Sequence, residues 1–75
     1  MRLSDLKLGE KARIVCVEIG GKEGRRYREM GLVSGEIVRV VRVAPLGDPV
    51  EIEVKGYNLS LRKDEARRIR VEVVR

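Results

Sequence analysis

The chain reads as short apolar stretches rich in Val, Ile and Leu, separated by turns that carry glycine or proline. Residues 11–19, K-A-R-I-V-C-V-E-I, hold small and β-branched apolar residues without helix spacing and stop at Gly20-Gly21, which predicts a first strand. Residues 22–30 change period. Tyr27 and Met30 stand three apart and Gly31 follows as a C-terminal stop, predicting a short helix. Leu32, Val33 and Ser34-Gly35 lead into a second strand over 36–43. Its arginines, Arg39 and Arg42, both face solvent only if the alternation slips near Val40-Val41, so a β-bulge is expected near Val41.

Residues 50–54, V-E-I-E-V, alternate cleanly, placing Val50, Ile52 and Val54 inward and Glu51 and Glu53 outward. Lys55-Gly56-Tyr57 turns the chain, Leu59 and Leu61 alternate with polar neighbours, K-D-E-A (63–66) makes one helical turn, and I-R-V-E-V (69–73) closes the pattern. The leucines of L-S-D-L-K-L (3–8) are expected to tuck against the domain. The prediction is an all-β fold: a small antiparallel barrel with one short helix after the first strand and one helical turn before the last. The turn between strands two and three, A-P-L-G-D-P (44–49), is the most rigid element. Pro45 and Pro49 fix φ near about −65°, Gly47 allows a positive φ, and Asp48 is placed to cap its own turn.

Size and composition narrow the reading. Seventy-five residues make a single domain over 1–75 with room for one small core, and the absence of Phe and Trp leaves that core to Val, Ile and Leu. One cysteine and no histidine leave no intrachain disulfide and remove the commonest transition-metal ligands, so neither metal nor cofactor is expected. Cys16, inside the first strand, reads as a structural residue. No segment has the length and apolarity of a membrane span or signal core, which gives a cytoplasmic expectation.

Charge points to partners. The net charge is +5. Lys22, Arg25, Arg26 and Arg28 outnumber Glu23 along the helix, bases dominate residues 62–70, and Asp48, Glu51 and Glu53 gather in one hairpin, suggesting a bipolar molecule suited to docking or to self-association. The competing reading is a solvated surface with helix pairs such as Arg25 with Glu29. The G-G-K-E-G segment (20–24) lacks the lysine and hydroxyl that must follow the last glycine of a Walker-type loop. Glu51 and Glu53 share an exposed strand face about 7 Å apart, with nothing to raise a carboxylate pKa. No nucleophile lies beside a base, and no enzyme is expected. Two tyrosines, Tyr27 in the helix and Tyr57 in a turn, make a poor platform for base stacking.

Three motifs, E-M-G-L-V-S-G (29–35), V-R-V-A-P-L-G-D-P (41–49) and L-S-L-R-K-D-E-A (59–66), resemble in order and spacing the FeoA family of ferrous-iron transport accessory proteins. Ser34 stands where many members have proline. The resemblance implies a stand-alone SH3-like barrel and a non-enzymatic cytoplasmic adaptor that docks onto the cytosolic, GTPase-bearing part of a FeoB-type ferrous-iron transporter, meeting the membrane only through it. Arg25, Arg28, Glu29, Met30, Leu32 and Val33 at the helix and its exit are the first candidate surface, and Pro45, Leu46, Gly47 and Asp48 in the rigid turn are the second. Arg25, Arg26 and Arg28 are the candidates for an arginine finger. Two alternatives stand beside this reading: a nucleic-acid-binding small basic barrel, which the paucity of aromatics disfavours, and a metal-sensing SH3-like module of the iron-dependent repressor type.

Overall fold

The structure is a computed structural model that describes residues 1–74. Strands β1 (Lys11–Val17), β2 (Ile37–Val43), β3 (Val50–Val54), β4 (Tyr57–Leu61) and β5 (Ile69–Val73) form one antiparallel sheet in the order β4-β3-β2-β1-β5. Helix α1 (Gly21–Glu29) fills the β1–β2 connection, the single turn α2 (Lys63–Ala66) fills the β4–β5 connection, and a 3-10 turn (Leu3–Asp5) precedes β1. The predicted all-β architecture, its helix and its helical turn therefore form as expected.

The alternation read along the chain sets the core. All five strands feed one cluster, Ala12 and Ile14 from β1, Val38 and Val40 from β2, Ile52 and Val54 from β3, Leu59 and Leu61 from β4, and Ile69 and Val71 from β5. β2 slips against β3 between Val40 and Arg42, the bulge expected near Val41, and both Arg39 and Arg42 face solvent. A second slip, of β1 against β5 between Ile14 and Cys16, carries no sequence signal. It leaves Val15 exposed and Cys16 only half-buried, so Cys16 is not the enclosed core residue that its place in an apolar run suggested. Of the leading leucines Leu3 and Leu6 are buried, whereas Leu8 is exposed.

Tight connections hold the register. Lys55-Gly56 joins β3 to β4 with φ of 51° and 84°, the paired positive angles of a type I′ turn, and Tyr57 already belongs to β4. Lys55 also pairs with Glu36 at 3.1 Å. The acidic hairpin does not form a free negative patch. Arg39 bonds Glu53 at 3.1 Å, and Arg42 lies opposite Glu51 in the register. The Arg25–Glu29 pair is absent from the ion pairs among the described residues.

Two glycines place α1. Gly31, just past the helix, has φ 103°, the conformation that ends a helix without a Cβ penalty. Gly24, inside the helix and buried, lies so close to the preceding loop that a Cβ there would stand 1.9 Å from the carbonyl oxygen of Ile19. Helix propensity alone favours alanine at this position by about 0.5–1 kcal/mol. The backbone collision outweighs that gain, and Gly24→Ala is expected to lower stability by about 2–3 kcal/mol, read as a lower midpoint in urea unfolding. Unchanged or raised stability would show that α1 does not seat on residue 19 as described.

Candidate functional site

A cleft of about 570 Å³ opens between α1, the β2–β3 turn and α2, lined by Glu23, Arg26, Tyr27, Asp48, Pro49, Ser60, Arg62 and Glu65. Its floor follows from the amphipathic pattern of α1. Tyr27 and Gly24 turn inward, and Tyr27, 4% exposed, is the one aromatic ring in the core. Apart from Gly21, the remaining helix positions carry charge, and all of them stay in solvent.

The four residues of α2 tie the cleft together. The Glu65 carboxylate accepts the Arg62 amide at 2.9 Å and lies close to the Tyr27 hydroxyl, which brings α2 against α1. Asp48 does not cap its own turn as the sequence suggested. Its carboxylate reaches across to accept the Lys63 amide at 3.1 Å, which joins α2 to the β2–β3 turn. Both bonds satisfy amides that the start of a helix leaves without partners.

Electrostatics record the same arrangement. Burial, then the hydrogen bond to Glu65 and its charge, push the Tyr27 phenol from 10.0 up to about 12, against the opposing charge of Arg26. The Arg26 guanidinium sits 5.8 Å from the centre of the Tyr27 ring, within cation–π reach. At Glu65 burial opposes ionisation. The hydrogen bonds from Tyr27 and the Arg62 amide, the contact with Glu23 and the Arg62 charge outweigh it and hold the carboxyl below its ordinary value. No three His, Cys, Asp or Glu side chains among the described residues converge to hold a metal ion.

The predicted docking residues separate into distinct settings. Arg25 and Glu29 point to solvent on α1. Arg28 turns back toward the Ile19 carbonyl at 3.5 Å, and half-buried Met30 caps the helix and accepts the Tyr57 hydroxyl on its carbonyl. Leu32 is fully buried and cannot touch a partner. It plugs the core because the positive φ of Gly31 turns the chain inward after α1. Val33 remains 39% exposed, next to Ser34, whose hydroxyl bonds the Val15 carbonyl at 2.6 Å. Pro45 and Leu46 project from the turn, with Leu46 91% exposed, Gly47 adopts the expected positive φ of 81°, and Asp48 alone of the ten lines the cleft. Sequence reasoning passed over Glu23, Ser60, Arg62 and Glu65. The spacing of Arg62 and Glu65, with an acid three residues into a helical turn, was the available signal.

This constellation of helix exit, rigid turn and helical turn spans the three motifs, and residues 1–73 match the family model for the FeoA domain. The chain belongs to the FeoA family. It is 47% identical over 74 residues to the Fe(2+) transport protein A/Fe(2+) transporter FeoB fusion protein of Porphyromonas gingivalis, a match covering 99% of this chain and 9% of that relative. The FeoA domain therefore spans a small part of the curated relative's length. Among solved structures, the FeoA protein from Chlorobium tepidum superposes with a TM-score of 0.95 at 40% identity, covering 100% of this chain and 71% of that one. The Stenotrophomonas maltophilia FeoA, an SH3-domain protein solved in complex with zinc, superposes with a TM-score of 0.82 at 37% identity, covering 96% of this chain and 89% of that one. The chain shares its SH3-like fold with these solved structures.

The burial of Tyr27 gives a pH signature. The folded Tyr27 pKa lies above its unfolded value, so its contribution to stability is complete below pH 10 and is lost as pH rises toward 12. Tyr27→Phe keeps the ring but removes the hydroxyl and its contact with Glu65. It is expected to cost about 1 kcal/mol at neutral pH. Absorbance titration should show the high-pH tyrosine step in the parent and not in the variant. A variant that retains that step would assign it to another group and overturn the burial of the Tyr27 hydroxyl.

Proposed function

We propose that this FeoA domain is a non-enzymatic adaptor of a FeoB-type ferrous-iron transporter, docking onto the transporter's cytosolic part and acting in the cytoplasm. The observation that carries the proposal is the Porphyromonas gingivalis relative, in which a segment 47% identical to this chain shares a polypeptide with a FeoB transporter. Tethering two modules in one polypeptide raises the effective concentration of one for the other, which is useful where the two must meet.

Exposed apolar residues on otherwise charged elements are the natural contacts. Val33 at the exit of α1 and Leu46 at the tip of the β2–β3 turn remain in solvent on rigid supports. Arg25, Arg28 and Glu29 provide charge beside the first, and Pro45, Gly47 and Asp48 hold the second. Interfaces of this kind concentrate their energy in a few apolar anchors, with surrounding charges tuning the rate of encounter.

Isothermal titration against the cognate transporter's cytosolic part, at physiological salt, tests the reading. The parent is expected to bind saturably. Val33→Asp and Leu46→Asp, each at an exposed position, are expected to weaken binding about tenfold or more with an unchanged thermal midpoint. No binding by the parent would remove the adaptor reading. Binding unaffected by both substitutions would place the docking surface elsewhere.

A further inference from the structure

The start of β5 juxtaposes like charges that the fold does not need. Arg2 and Arg70 are direct partners in an antiparallel bridge, and the Arg68 carbonyl accepts the Glu18 amide at 2.7 Å, bringing these segments together. Arginines opposite one another across strands destabilise, because their repulsion returns nothing to packing. Glu72, on the same strand as Arg70, lies opposite Arg13 in the register, and two further acids are already engaged. Glu18 pairs with Arg2 at 2.5 Å, and the Asp5 carboxylate accepts the Arg2 amide at 2.9 Å. Arg67, Arg68 and Arg70 are all exposed, and their guanidinium groups form no ion pair or side-chain hydrogen bond among the described residues.

We propose that Arg67, Arg68 and Arg70, with Arg2 beside them, form a binding surface for anionic phospholipid headgroups, through which the domain lies against the membrane. Guanidinium groups suit phosphate oxygens because their planar fork donates two hydrogen bonds at once. The patch lies outside the cleft described above, and neither tyrosine stands in it for base stacking: Tyr27 is buried and Tyr57 bonds the Met30 carbonyl. A cluster of cations without pocket or ring matches a laterally continuous negative surface. The inference rests on the adaptor reading for the reason a bilayer is near, and it adds a second point of attachment, separate from the protein-docking residues.

Cosedimentation with vesicles tests it. At low salt the domain is expected to partition onto vesicles containing phosphatidylglycerol and to remain free of pure phosphatidylcholine vesicles, with binding lost as salt shortens the range of the charges. The triple variant Arg67→Gln, Arg68→Gln, Arg70→Gln is expected to partition roughly a hundredfold more weakly. A control variant, Lys22→Gln, Arg25→Gln, Arg28→Gln, removes as much charge from α1 and should change partitioning far less. Equal losses in the two variants would assign the effect to net charge and overturn the patch. So would absence of binding to anionic vesicles, or an oligonucleotide that binds the patch more tightly than the vesicles do. Binding of the transporter's soluble cytosolic part, measured without lipid, should be unchanged in the triple variant of Arg67, Arg68 and Arg70, so failure of the lipid surface and failure of the adaptor reading are read separately.

Discussion

One turn of helix fixes the geometry on which the functional face depends. Residues 63–66 are too few to be stable alone, since a helical nucleus costs more than its first bonds return. They hold because Ala66 is buried in the core, the Asp48 carboxylate of the β2–β3 turn accepts the Lys63 amide, and Glu65 lies against the Tyr27 hydroxyl of α1. These contacts set three loops of a small barrel around one polar cleft.

The sheet was legible in the sequence because period-two alternation is a strong signal where one face is buried. V-E-I-E-V reads directly as β3, and the odd spacing of Arg39 and Arg42 pointed to the bulge at Val41. The slip between Ile14 and Cys16 was not legible. A run as apolar as I-V-C-V looks the same with or without an extra residue, and only the register against β5 decides it. Leu32 and Val33 show a similar limit. They are adjacent and both apolar, and the backbone angle at Gly31 buries one and exposes the other.

The candidate site was less legible than the fold, for a physical reason. Its contacts run between elements far apart in the chain: Tyr27 with Glu65, and Asp48 with Lys63. Local spacing placed Asp48 in a self-capping turn because short-range partners are all a sequence shows. The charge pattern misled in the same way. Glu51 and Glu53 looked like an acidic patch along the chain, yet strand pairing sets arginines opposite both. Two of the three motifs, 41–49 and 59–66, supply residues that line the cleft, whereas 29–35 supplies none.

The domain's chemistry follows from this frame. A barrel of Val, Ile and Leu holds a helix and a turn in fixed relation, exposed apolar tips stand on both, and arginines gather away from the cleft at the start of β5. The central claim is that the rim of α1, the β2–β3 turn and α2 is the face that meets a FeoB transporter. Amide chemical-shift mapping of the labelled domain, titrated with the transporter's cytosolic part at physiological salt, tests it most directly. The account predicts saturable shifts grouped at residues 22–33 and 45–49, with Arg62 and Glu65 moving alongside them. No saturable shifts, or shifts confined to the N-terminal turn and β5, would contradict it.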